Sequence, residues 1–284
     1  MQFPFYKFEG LGNDFILLQR TDLPASCDLS ALAQELCNRH FGIGADGLLI
    51  AHASAEADAR MQVINADGSE PEMCGNGLRC FVAYLHQRSP APKSPYHIAT
   101  GAGILEVYYT PEKGLARVNM GPPRLGAQDL PALGFEKSPV LKETLEVAGR
   151  PFEVTLVSMG NPHCIIEVDQ NWSSAETQFW GPQIENHPRF PQRTNVEFTL
   201  FETPQQAKIS VWERGAGETL ACGTGACATL VAGVLLGRLN RAAELHLPGG
   251  PLQICWDEMS NQLWMEGPAR KVFSGSYERE GSSR

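Results

Sequence analysis

Two stretches, PEMCGNGLRC at 71–80 and TLACGTGAC at 219–227, carry the same Cys-Gly-x-Gly pattern, and their cysteines, Cys74 and Cys222, lie 148 positions apart. Asn13 in GNDF and Asn161 in GNPH are separated by the same 148. Two matched offsets with similar local residues predict a duplicated unit, each copy supplying a Gly-Asn loop and a Cys-Gly-x-Gly helix start. The chain therefore has to fold as two similar halves. Its 284 residues suffice for two ordinary domains. Residues 121–139, rich in Pro and Gly, read as the linker.

Secondary structure reads as mixed. GILEVYYT (103–110), LARVNM (115–120), PFEVTLVS (151–158), HCIIEVD (163–169) and AKISVWER (207–214) are short alternating or β-branched runs, the pattern of strands. Residues 77–87 and 225–237 read as helices. The second is apolar on nearly every face, which predicts a helix enclosed by sheet, with its glycines allowing close approach of strands. The net charge of −9 disfavours nucleic acid and anionic membranes as partners. The longest apolar run, Cys227 to Leu236, is too short to span a bilayer, and the start MQFPFYKFEG lacks the basic and apolar regions of a signal peptide. These features predict a cytoplasmic protein whose eight cysteines are thiols.

A cysteine at a helix start sits beside unpaired amides and the positive end of the helix dipole, which predicts a lowered thiol pKa. Flanking glycines let a ligand reach the backbone, and the same amides can hold a carboxylate. Each motif thus offers a thiol acid or base beside an anion cradle. A single such cysteine reads as a packing residue. Two in a duplicated chain read as a pair. Cys27, Cys37, Cys80, Cys164, Cys227 and Cys255 lack the setting and read as packing residues. Two opposed thiols suit the inversion of a carbon centre, where one base removes a proton and an acid on the other face returns one. The α-proton of an amino acid is weakly acidic, and amides aimed at the α-carboxylate would stabilise the charge that develops.

Other chemistries fit less well. A pyridoxal enzyme needs a Schiff-base lysine, and none of the seven lysines lies in either motif. Zinc is disfavoured by the lack of a CxxC or a closely spaced His pair. Thiol redox exchange leaves the carboxylate cradles unexplained, and no GK[ST] follows the Gly-rich turn. No cofactor and no metal is therefore expected. His163, in the second Gly-Asn loop, and Glu213, just before the second motif in WERGAGET, read as supporting groups. The histidine would tune a thiol and the carboxylate would hold an ammonium.

The motifs GNDF, GIGADG, NADGSEPEMCGNGLRC, GNPHC, TNVEF and ERGAGETLACGTGAC, in that order from about Phe8 to Val272, resemble those of the diaminopimelate epimerases. The resemblance implies an α/β (α+β) fold of two pseudo-symmetric domains. Each is a sheet wrapped around a central helix, with the active site in the cleft between them. The halves would be 1–122, to which 269–284 returns, and 123–268. It implies cofactor-independent interconversion of LL- and meso-2,6-diaminopimelate in lysine and peptidoglycan precursor synthesis, by an enzyme that is commonly a homodimer. Carried over by motif, Cys74 and Cys222 are the acid/base pair, supported by His163 and Glu213. Substrate contacts fall on Asn13, Asn65, Gly75, Asn76, Asn161, Asn195, Glu213, Arg214, Gly223 and Thr224. Asn65, Asn161, Asn195 and Arg214 suit the non-reacting amino acid end. Where some members have Gln, this chain has Gly47, so one side-chain contact is missing here. Proline racemisation, turnover of other amino acids and a non-catalytic amino-acid-binding protein are the alternatives. Retention of both thiols, His163 and Glu213 argues against the last.

Overall fold

The computed structural model describes residues 2–89, 91–126 and 129–279. The chain forms two compact units, Met1–Val118 with Gly267–Arg284, and Asn119–Glu266. The first contains strands β1 (Gln2–Gly10), β2 (Asn13–Gln19), β3 (Gly47–His52), β4 (Ala59–Asn65), β5 (Tyr96–Thr100), β6 (Gly103–Thr110), β7 (Leu115–Gly121) and β17 (Arg270–Glu278), and helices α1 (Leu29–Cys37) and α2 (Gly75–Arg88). The second contains β8 (Glu143–Val147), β9 (Arg150–Ser158), β10 (Pro162–Glu167), β11 (Asn195–Thr203), β12 (Gln206–Glu213), β13 (Gly217–Thr219), β14 (Ala242–Leu247), β15 (Gly250–Trp256) and β16 (Leu263–Pro268), and helices α3 (Ser174–Glu185) and α4 (Gly223–Leu235). All five segments read as strands are strands.

The duplication extends to register. In the first unit the strands run β17-β1-β2-β3-β4-β5-β6-β7, with β2 parallel to β3 and β4 parallel to β5. In the second they run β8-β9-β10-β11-β12-β14-β15-β16, with β10 parallel to β11 and β12 parallel to β14. Phe15 lies opposite Gly47 in one unit, and His163 opposite Asn195 in the other. Both pairs are related by the 148-residue offset read from the cysteines.

Each unit wraps its strands around one helix. Helix α2 packs against β1, β2, β3, β4, β6 and β17, and α4 against β9, β10, β11, β14 and β15. Residues Gly225–Gly233 of α4 are buried without a break, as a helix apolar on all faces requires. Gly233 shows the predicted close approach: a Cβ there would stand 2.9 Å from the Phe201 ring on β11 and 2.6 Å from Leu239. Both helices begin two residues earlier than expected, because the cysteine itself takes the N-cap position. Helix α4 also ends at Leu235 rather than 237, where Gly237 turns to a φ of +68°.

Two further results depart from the sequence reading. Residues 121–139 are not a free linker. Arg124 bridges to Ser158, and Leu130 and Phe135 join the core of the second unit beside Phe152, Trp172 and Phe198. Arg189 fixes the segment by donating to the Leu133 carbonyl (2.9 Å) and lying over the Phe135 ring. Residues 127 and 128 lie outside the described residues. Helices α1 and α3 were also unread, although α3 opens on a capping box between Ser173 and Glu176. Among the described residues no helix is long and apolar enough to cross a membrane.

Burying neutral thiols has a measurable cost at high pH. Burial pushes Cys37 and Cys80 up to about 12, and Cys164 well above its ordinary value. A raised pKa favours the folded state below the unfolded value, near 9, and that advantage is lost as pH rises toward the folded value. For Cys37 and Cys80 the loss is roughly 4 kcal/mol each over the three units of that window. Two of them rival the whole stability of a domain, about 5–15 kcal/mol. Under reducing conditions the urea midpoint should therefore fall steeply between pH 9 and 11. A flat or rising midpoint would contradict the assignment.

Candidate active site

In the first unit Cys74 caps α2, and its Sγ accepts from Gly77 N–H at 3.4 Å. Asn76, buried in the first turn, donates through Nδ2 to Asn13 Oδ1 on β2 (3.2 Å). Asn13 in turn donates to Asp46 Oδ2 at 2.7 Å. The GADG loop is thus the anchor of the GNDF loop. Arg39 reaches both Asp14 and Asp46, and Lys7 pairs with Asp14 at 2.6 Å. Burial pushes the Asp14 carboxyl up, but hydrogen bonds from Arg39 and Lys7 outweigh it and hold the group below its ordinary value. Asn65, ending β4, donates to Ser69 Oγ (2.9 Å) and is half-buried. Gly47 faces it across the strand pair. A Cβ at Gly47 would stand 2.8 Å from the Ile64 carbonyl oxygen, so a glutamine there needs a shifted backbone.

The second unit repeats the plan with different chemistry. Cys222 caps α4 and accepts from Gly225 N–H at 3.3 Å, with Thr224 Oγ1 at 3.6 Å. Asn161 Nδ2 donates to Thr224 Oγ1 at 3.3 Å, and Asn161 Oδ1 lies 3.0 Å from His163 Nε2. The imidazole, fully buried, places Nδ1 2.7 Å from Glu197 Oε1. The Asn13–Asn76 and Asn161–Thr224 contacts join equivalent positions, so the two cradles are copies. Glu213, ending β12, accepts from Thr219 Oγ1 at 2.5 Å and lies against the Cys222 thiol. Burial pushes its carboxyl up, against opposing hydrogen bonds from Thr219 and Cys222.

Asn195 is buried and its amide is spent on backbone. It donates to the Pro162 carbonyl (2.8 Å) and accepts from Arg214 N–H (2.9 Å), splinting β10 to the turn after β12. The exposed Arg214 guanidinium donates to the Gln192 carbonyl at 3.2 Å. Buried Glu185, on α3, accepts from Trp212 Nε1 and Gly215 N–H at 2.7 and 2.8 Å and so holds the same turn. Glu185, Glu197 and Asp46 escaped the sequence reading. Glu197 sits in the quoted TNVEF, where Asn195, Glu197 and Thr199 alternate with Val196 and Phe198 as on a strand with a polar outer face, yet all five are buried.

The expected lowering of the thiol pKa is reversed at Cys222. Burial pushes this thiol well above its ordinary value, and the charges of Glu213 and Glu197 add to that. Thr224 and the Gly225 amide pull the other way and do not compensate. Loss of water and two nearby carboxylates outweigh the helix start. These surroundings favour the protonated form of the Cys222 thiol.

Comparisons with known proteins identify the family. A family model described as diaminopimelate epimerase matches residues 5–126 and 155–272. The chain is 49% identical over 283 residues to a diaminopimelate epimerase of Acaryochloris marina, covering 98% of this chain and 99% of the relative. It is 50% identical over 280 residues to one of Synechococcus elongatus, covering 98% and 99%. Similar solved structures include a PhzF-family phenazine biosynthesis protein of Bacillus anthracis, with a TM-score of 0.70 at 16% identity, covering 98% of this chain and 100% of that one. A hydroxyproline epimerase of Agrobacterium vitis gives a TM-score of 0.69 at 12% identity, covering 97% and 91%. These two share the fold. With its paired capping cysteines, a family-model match over most of its length and relatives about half identical over 98% of it, the chain belongs to the diaminopimelate epimerase family.

Proposed function

We propose that this protein interconverts LL- and meso-2,6-diaminopimelate without a cofactor, with Cys74 and Cys222 as the two acid/base groups. The observation that carries the reading is the equivalence of the thiols. Each is the N-cap of the central helix in its own copy of a duplicated unit, with sulfur held by the third residue of the turn. The first-turn amides of α2 and α4 are suited to an α-carboxylate, and stabilise the charge that builds there as the proton leaves. The reaction requires the thiols to address opposite faces of one carbon. Glu213 and His163 flank the Cys222 cradle. Asn13, Gly75, Asn76, Asn161, Gly223 and Thr224 belong to the two cradles, and Asn65, Asn161, Asn195 and Arg214 are assigned to the distal amino acid head.

Purified protein incubated with LL-diaminopimelate and no added pyridoxal phosphate is expected to yield the meso isomer, separated chromatographically. Absence of meso product would refute the reading. In this reading the enzyme works in the cytoplasm on lysine and peptidoglycan precursors.

We also propose a homodimer. Strand β17 ends the strand order of the first unit and exposes Val272 and Phe273, at 52% and 46%. Exposed apolar side chains on an edge strand are a surface that a second copy would cover. Sedimentation should give twice the chain mass, and Phe273→Lys should shift it toward the monomer. A wild-type monomer would rule this out.

A further inference from the structure

The two copies differ beneath their thiols. The 148-residue offset pairs Phe15 with His163 and Leu49 with Glu197. Both strand positions lie under the capped turn. A Cβ at Gly77 would meet Leu49 Cδ2 at 3.0 Å, and a Cβ at Gly225 would meet Glu197 Oε1 at 2.6 Å. In the first unit a methyl group fills that place, and in the second a carboxylate. Glu197 is completely buried, and among the described residues its Oε2 has no hydrogen-bond partner. Burying a carboxylate is costly, and the sister copy shows that a leucine suits this fold at the same place. Packing therefore does not account for Glu197.

We infer that Glu197 is a positioning residue for Cys222: it fixes the His163 ring, and through Asn161 and Thr224 sets the surroundings of the thiol. The chain of contacts is continuous, from Glu197 Oε1 to His163 Nδ1 (2.7 Å), His163 Nε2 to Asn161 Oδ1 (3.0 Å), Asn161 Nδ2 to Thr224 Oγ1 (3.3 Å), and Thr224 Oγ1 to Cys222 Sγ (3.6 Å). Gly225 is what admits the carboxylate, since any side chain there would strike it. The titratable groups facing this cluster are Glu213 from β12, His163 and Cys164 from β10, and Cys222 itself. Within it, the negative charge of Glu197 helps Cys222 retain its proton. The two copies have thus diverged so that one thiol sits over an apolar floor and the other over an ionisable pair.

The inference rests on the reading of Cys222 as one of the two acid/base groups, and the experiment separates them. Glu197→Gln keeps an oxygen for His163 but removes the charge. Glu197→Leu restores the residue of the first copy. In kcat/KM against pH with LL-diaminopimelate, Glu197→Gln should move the alkaline limb down by about one pH unit, because Cys222 loses its proton earlier. A purely structural role would lower the curve equally at every pH. Glu197→Leu should reduce kcat about 10²-fold, with Gln restoring most of that at the optimum. The second arm needs no turnover. Iodoacetamide labelling of Cys222 without substrate, followed by peptide mass mapping, should show its pH midpoint shifted downward in Glu197→Gln. An unchanged labelling midpoint, or a Glu197→Leu variant with wild-type kcat, would overturn the inference. Failure of the wild type to epimerise diaminopimelate would instead refute the functional reading and leave the labelling result to decide the role of Glu197.

Discussion

Alanine at Cys74 or at Cys222 is expected to reduce epimerisation about 10⁴-fold, the upper range for loss of a positioned acid or base. Each face of the carbon needs its own group, so the surviving thiol does not compensate. The loss will be chemical rather than structural. Each sulfur caps a helix through one hydrogen bond, and removing a cap costs about 1 kcal/mol, against a total of about 5–15 kcal/mol. Folded, inactive protein is therefore the expected outcome, checked by turnover of LL-diaminopimelate beside a thermal melt. Serine keeps the cap and passes a proton weakly, so a serine variant should retain more activity than alanine. Near wild-type turnover by either alanine variant would remove the two-thiol account.

The second large effect concerns substrate choice. Asn65, Asn161, Asn195 and Arg214 are assigned to a second amino acid head, where amides and a guanidinium match a carboxylate that an analogue without one cannot supply. Lysine brings an ammonium to its far end but no carboxylate, leaving Arg214 unanswered, and proline brings neither. A site built around a polar group rejects an analogue lacking it by about 10⁴-fold or more. Exchange of α-protons should therefore be about 10⁴-fold slower with lysine or proline than with diaminopimelate at equal concentration. Comparable exchange would mark a broader amino-acid racemase. Asn195 already spends its amide on Pro162 and Arg214, so its share in this effect is to set the turn that carries Arg214. Asn195→Ala should accordingly raise KM more than it lowers kcat.

What the sequence disclosed, and what it hid, follow from the same duplication. The cysteines, the Gly-Asn loops and the buried helix α4 were legible because repetition and an unbroken apolar run are properties of the chain itself. Helix α1 was hidden because its apolar face is short, with Leu32, Ala33, Leu36 and Cys37 buried over only nine residues. Residues 121–139 looked like a linker because Pro and Gly mark turns, whereas Leu130 and Phe135 within them are core residues. The pKa of Cys222 was misread because the local signal, a helix start, competes with a non-local one. Glu197 lies 25 positions before Cys222 in the chain, and no local motif reveals that β11 brings its carboxylate under the same turn. Gly225 is the one trace of that approach, and a glycine after a Cys-Gly pair reads equally well as a ligand cradle.

The central claim is that different groups remove and return the proton, and the fate of the α-hydrogen tests it most directly. LL-diaminopimelate is incubated with the wild-type enzyme in heavy water, the reaction is stopped early, and the meso product is examined by mass spectrometry and proton NMR. If one thiol takes the proton and the other delivers its own solvent-derived one, essentially every newly formed meso molecule carries deuterium at the inverted centre. If a single group carries the same hydrogen from one face to the other, early meso product retains protium, and the two-thiol account is wrong.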